Sequence, residues 1–167
     1  RQDTDSIYLN LGDLVETVYK GREKTDQSVV SFLNKICEVE LEKYISSSYE
    51  ALAKYVNAYE QKMIMKRENI ASTGIWTAKK RYMLNVWDSE GVRYQEPKLK
   101  MMGIEAVKSS TPAPCRTAIK EAIKIMMTGT ESDLVSYIDS FRQTFDSLPP
   151  EEIAFPRSVN GLSLIHI

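Results

Sequence analysis

The chain has 167 residues, 43% hydrophobic and 27% charged, enough apolar material for one domain or two small ones, which argues against a disordered or fibrous chain. Net charge is −1, and no run of 18 apolar residues occurs, so no membrane-spanning helix is expected. A single histidine (His166) and two distant cysteines (Cys37, Cys115) argue against histidine catalysis, a zinc cluster or a disulfide framework.

No apolar leader is read at the start, and a reducing compartment is the expectation. The charge is unevenly spread. From Lys62 to Lys108 there are ten basic and five acidic side chains, against twelve and eighteen elsewhere. A basic middle in a near-neutral chain suits either a local anion-binding face or a solvated sheet surface.

In chain order, Ser6 to Asn10 reads as a short strand, broken at Gly12-Asp13. Leu14, Val15 and Val18 mark a short helix ending at Lys20-Gly21. Asp26 is the expected N-cap of a second helix whose inner face is Val29, Phe32, Leu33 and Ile36. Ser47 or Ser48 is expected to cap a third, with Tyr49, Leu52, Ala53 and Val56 inward. The period then changes. Lys62 to Ile70 reads as a strand, and Gly74 opens another. In "RYMLNVW", Tyr82, Leu84 and Val86 alternate with Met83, Asn85 and Trp87. Asp88 to Gly91 is a turn, Val92 to Tyr94 a returning strand, and Pro97 a sign of a sheet edge or strand start. After a boundary near 103–110 the pattern is helical. Thr111 and Pro112 start a helix striped by Cys115, Ala118, Ile119, Ala122, Ile123 and Met126. Gly129 stops it, and Thr130 starts another with Leu134, Ile138, Phe141 and Phe145 inward. Pro149-Pro150 ends that one.

Three stretches bear on chemistry. Asp3-Thr4-Asp5 places two carboxylates on alternate residues, hence on one side of a strand, where hard oxygens suit Mg²⁺. A lone D-x-D is a weak motif, and a turn or strand-end pair without metal is the plainer reading. An EF-hand reading fails, because the fifth and sixth positions from Asp3 are Ile7 and Tyr8. "KKRY", Lys79 to Tyr82, reads as the head of a strand whose side chains diverge to both faces. It could grip a phosphate backbone or donate into a minor groove; it could also be a solvated edge whose lysines discourage aggregation. Lys98 and Lys100 alternate toward one side, and Lys108 precedes a helix start. These three suit either anion binding or an exposed hinge.

Taken together and in order, the stretches resemble one family. "DTDSIY" resembles the third polymerase motif of family B DNA polymerases. "KKRY" resembles the DNA-contacting motif of their palm, and "EPKLKMMGIE…KSSTP" the passage from palm to thumb in replicative polymerases of tailed phages. The resemblance spans about Asp3 to Leu162. Where the family has Tyr-Gly, this chain has Arg1-Gln2, and Ser163 to Ile167 has no counterpart.

The resemblance implies an α+β fold: an antiparallel palm-type sheet with helices on one face over residues 1–103, then an all-α thumb segment over 104–167. It implies template-directed nucleotidyl transfer from a dNTP to a primer 3′-hydroxyl by a two-metal mechanism, with Mg²⁺ as cofactor and Mn²⁺ as a possible substitute. Asp5 corresponds to the metal-binding aspartate and Asp3 to its acidic neighbour. Glu68 corresponds to a nearby carboxylate, with an exposed charge paired to Arg67 as the plainer reading. Lys79, Lys80, Arg81, Tyr82, Lys98, Lys100 and Lys108 would line primer–template DNA. A sliding clamp, other replisome proteins and the cytoplasm of an infected bacterial host are implied by analogy, with no membrane role. The partner aspartate and the nucleotide-binding fingers are expected outside this stretch, so the piece alone is expected to be inactive. On the residues alone, a non-catalytic nucleic-acid-binding module and a D-x-D nucleotide-sugar transferase stay open.

Overall fold

The computed structural model describes residues 2–3 and 6–158, with the backbone alone at 2 and 3. A minimal hairpin comes first. Strand β1 (Gln2–Asp3) pairs antiparallel with β2 (Ser6–Ile7), in the register Gln2 to Ile7 and Asp3 to Ser6. Helix α1 (Gly12–Val18) follows, then α2 (Asp26–Ile36).

The cap of α2 lies one residue earlier than expected. Thr25 is extended, and its hydroxyl accepts the Ser28 N–H while the Ser28 hydroxyl accepts the Thr25 N–H, a reciprocal capping box. Asp26 sits in the first turn, where its charge favours the helix dipole.

No break occurs at Ser47 or Ser48. The chain passes through one π-helical turn (Cys37–Leu41) straight into α3 (Glu42–Tyr55). Neither serine caps: both hydroxyls donate back to the Tyr44 carbonyl, at 2.8 and 2.9 Å, which satisfies them inside a helix. Ile45, Tyr49 and Ala53 form the less exposed face of α3, while Leu52 and Val56 are exposed.

The main sheet has three antiparallel strands in the order β3 (Asn69–Ala78), β4 (Arg81–Ser89), β5 (Val92–Met102). Two expectations shift. Residues 62–68 form no strand, and Gly74 falls mid-strand. The reason for a glycine there is local: a Cβ would come within 2.6 Å of the Trp76 ring and 2.9 Å of Leu84. The β4–β5 turn puts Glu90 and Gly91 at φ 52° and 88°, the pair of left-handed residues that a type I′ hairpin turn requires. Pro97, with no N–H to donate, is tolerated because β5 is an edge strand.

Beyond a 3₁₀ turn (Glu105–Val107) come α4 (Ala113–Thr128), α5 (Glu131–Asp146) and the short α6 (Pro150–Ile153). Helix α4 begins one residue later than expected, with Pro112 at the cap. Met126 is 50% exposed, and Met127 packs inward instead. Gly129 ends α4, and Thr130 caps α5 through a capping box with Asp133.

The architecture is α+β, as expected. The chain forms two compact units. Unit 1 holds 1–72 and 85–98; unit 2 holds 73–84 and 99–167. Each long strand therefore has residues in both. Val15, Val30, Ile70 and Val86 are buried in unit 1, where Tyr19 meets Phe32 edge-on. Unit 2 has its core at Met83, Ile104, Ala106 and Ile123, flanked by Ile75, Leu99, Met101, Ile119 and Met127. No described helix is long and apolar enough to cross a membrane.

Candidate nucleic-acid interface

The basic run does not lie along a strand. β3 ends at Ala78 and β4 begins at Arg81, so Lys79 and Lys80 are themselves the hairpin turn. Both are exposed, and neither has an ion partner among the described residues. The expected alternation to two faces is thus replaced by two ammonium groups at a loop tip. Lys80 sits at φ 58°, a conformation uncommon outside glycine, so something must hold it.

Gly103 supplies part of that hold. It has φ 66°, and a Cβ there would lie 2.4 Å from the Lys80 carbonyl oxygen and 3.0 Å from Arg81 Cγ. Both the backbone angle and the close approach demand glycine. Gly103→Ala is expected to cost about 1–3 kcal/mol of stability. Urea unfolding of the chain checks this.

Arg81 is already engaged. Its Nη2 donates to both carboxylate oxygens of Glu105, at 2.9 and 2.6 Å, and Lys108 Nζ reaches Glu105 Oε1 at 3.1 Å. Glu105's own backbone N–H, then Lys108 and Arg81, hold its carboxyl below the usual carboxylate range. The ion pair therefore persists through neutral pH and is lost as pH falls through that lowered value.

Tyr82 was expected to line a duplex, but it is buried, with 7% of its surface exposed. It is the second residue of the central strand, β4. Lys100 is half-buried in unit 2. Lys98 belongs to unit 1, exposed, with its ammonium 4.1 Å from the Tyr94 ring centroid.

Asp3 and Glu68 belong to unit 1. Asp3 lies in β1 opposite Ser6, while Asp5 lies outside the described residues. Glu68 is exposed. Together with Ser6, Ile7, Glu38, Glu42 and Glu90 it lines one open cleft of about 970 Å³. Glu68 and the strand that follows the D-x-D pair thus share a cleft. Among the described residues no group of three His, Cys, Asp or Glu side chains is placed to hold a metal ion.

The pairing of Glu68 with Arg67 is not found. Arg67 turns inward instead. Its Nη1 is ion-paired to Asp88 Oδ1, its Nη2 donates to Asn34 Oδ1, and its backbone N–H donates to Glu42 Oε1 at 3.3 Å. Arg93 Nε lies 3.7 Å from Asp88 Oδ2, and the Gly91 N–H donates to Asp88 Oδ1 at 3.0 Å. Asp88 had read only as a turn residue. Its neighbours Glu90-Gly91 carry the turn signal, and nothing local marks a charge buried against a residue 21 positions away. Nearby, burial pushes the Cys37 thiol up, with Arg67 acting against it, which keeps this cysteine a thiol.

No protein-family model matches the chain. Two curated proteins do. A DNA-directed DNA polymerase of Escherichia phage RB69 is 38% identical over 96% of this chain, and one of Enterobacteria phage T4 is 34% identical over the same share. The resemblance to phage DNA-directed DNA polymerases thus holds over nearly the whole chain. The chain spans about a fifth (19%) of the length of these relatives. Among the described residues Lys79, Lys80, Arg81 and Lys108 fall in unit 2, and Glu68 lines a cleft with Ser6 and Ile7 of β2 in unit 1.

Proposed function

We propose that the chain is the end of the palm (residues 1–103) and the start of the thumb (104–167) of a family B replicative polymerase. In this reading it carries part of the catalytic site for template-directed nucleotidyl transfer. The observation that carries this is identity of 38% and 34% to two phage polymerases across nearly the whole chain.

The reaction joins a primer 3′-hydroxyl to the α-phosphate of a dNTP and releases pyrophosphate. Asp5, with Asp3 beside it, offers the hard carboxylate oxygens that Mg²⁺ takes, Mn²⁺ being a substitute. Two such ions supply nucleophile activation and leaving-group support. The chain's own part is to hold charge and position. Glu68, exposed in the cleft beside Ser6 and Ile7, adds negative charge near the hairpin. Lys79 and Lys80 present point charges to the duplex backbone or to minor-groove acceptors, which suits an enzyme that must hold any sequence. Lys98, Lys100 and Lys108 are further duplex contacts on the same resemblance. A sliding clamp and replisome proteins in a phage-infected bacterial cell are the partners this reading implies.

Lys79→Ala and Lys80→Ala, made in the intact polymerase, test the interface. Each is expected to weaken primer–template binding alike across sequences and to reduce the salt slope of log K by about 0.9. Fluorescence anisotropy over a salt series measures both. Unchanged affinity and slope in the double variant would remove the duplex reading.

A further inference from the structure

The run Lys79-Lys80-Arg81 looks like three equivalent cations in the sequence, but the structure treats the third differently. Lys79 and Lys80 point no charge at a protein partner among the described residues, while Arg81 is matched by Glu105. Glu105 stands on a short segment anchored on both sides. Ile104 and Ala106 are 5% and 1% exposed and belong to the core of the unit. The residue before them, Gly103, abuts the Lys80 carbonyl. One core-anchored stretch, 103–105, therefore fastens the turn twice: by the main chain at Lys80 and by the side chain at Arg81.

We propose that Arg81 and Glu105 are a positioning pair that sets the Lys79–Lys80 turn for the duplex, and that Arg81 adds no phosphate charge contact of its own. This deepens the polymerase reading and rests on it. A left-handed Lys80 at a two-residue turn has no intrinsic preference for its conformation. Without the pair, the two lysines sample many directions and lose the advantage of preorganisation. A guanidinium already neutralised by a carboxylate releases no further counterion from DNA, so it adds nothing to the salt slope. Lys108 shares the same carboxylate at similar exposure but through one contact against the two from Arg81, so the single charge of Glu105 covers Arg81 first and leaves Lys108 for a phosphate to take.

The test is primer–template binding by the intact polymerase over a salt series. Arg81→Gln and Glu105→Gln are each expected to weaken binding about three- to tenfold at every salt concentration, with the slope unchanged. Glu105→Asp restores most of the loss, and the charge swap Arg81→Glu with Glu105→Arg restores binding relative to either single reversal. If Arg81 were instead a phosphate ligand restrained by Glu105, Glu105→Gln would tighten binding, Arg81→Gln would cut the slope by about 0.9, and the swap would not recover. Either of the first two results overturns the proposal. Should a single variant unfold the unit, the swap alone decides. Failure of the polymerase reading shows separately, as Lys79→Ala and Lys80→Ala leaving both affinity and slope unchanged.

Discussion

Asp5→Asn in the intact polymerase is expected to reduce nucleotide incorporation on the order of 10³-fold while leaving primer–template affinity within about twofold. Asparagine keeps the size and one oxygen of the side chain but removes its charge. A divalent cation bound by hard anionic oxygens loses both affinity and alignment when one carboxylate becomes an amide. In the proposed reading the duplex is held by cations elsewhere, so binding is expected to survive. The lysine turn predicts the reverse pattern, with affinity lost before chemistry. Single-turnover incorporation at saturating dNTP, set beside anisotropy of the same protein, separates the two effects. Asp3→Asn is expected to lose less than Asp5→Asn, since the resemblance makes Asp3 a neighbour of the ligand. Incorporation within tenfold of the parent in Asp5→Asn would rule out the metal role.

Most of the helices and the hairpin sheet were legible because their signals are local. Thr130 and Gly129 sit where a cap and a stop must sit, and Glu90-Gly91 supplies the two left-handed residues of its turn. What sequence reading misplaced depended on distant partners. Ser47 and Ser48 resemble caps, yet each hydroxyl finds the Tyr44 carbonyl inside an unbroken helix. "KKRY" resembles the head of a strand, but the ladder partners put the reversal at Lys79 and Lys80. Arg81 and Tyr82 join the lysines through the resemblance of "KKRY" to the palm motif. Glu105, 24 residues on, claims the first, and the packing of a central strand claims the second. The residue types of the candidate site were readable, then, while their availability was set by contacts that no short window contains.

Arg67 and Asp88 show the same limit with the largest expected stability effect. Their side chains are 10% and 3% exposed, and Asp88 also accepts the Gly91 N–H. Asp88→Ala leaves a buried guanidinium without its counter-ion and a turn amide without an acceptor. The expected loss is about 3–5 kcal/mol, a large share of the stability of an ordinary domain. Arg67→Met strands the carboxylate instead and is expected to cost a similar amount, softened by Arg93 at 3.7 Å. Removing both charges as Arg67→Met with Asp88→Leu is expected to cost less than the sum of the singles, because neither charge is then left buried alone. Urea unfolding of the chain measures the cycle, with the slope m held constant as the check that stability has changed rather than the unfolded state. Additive losses, or singles within about 0.5 kcal/mol of the parent, would mean that water reaches the pair. The pair also lies next to the proposed chemistry. Arg67 precedes Glu68 in the chain, and the Glu68 carbonyl accepts the Glu90 N–H at 2.6 Å. Losing the anchor at Arg67 therefore shifts the segment that carries Glu68 along the cleft, and incorporation should fall in Asp88→Ala beyond what the unfolded fraction explains.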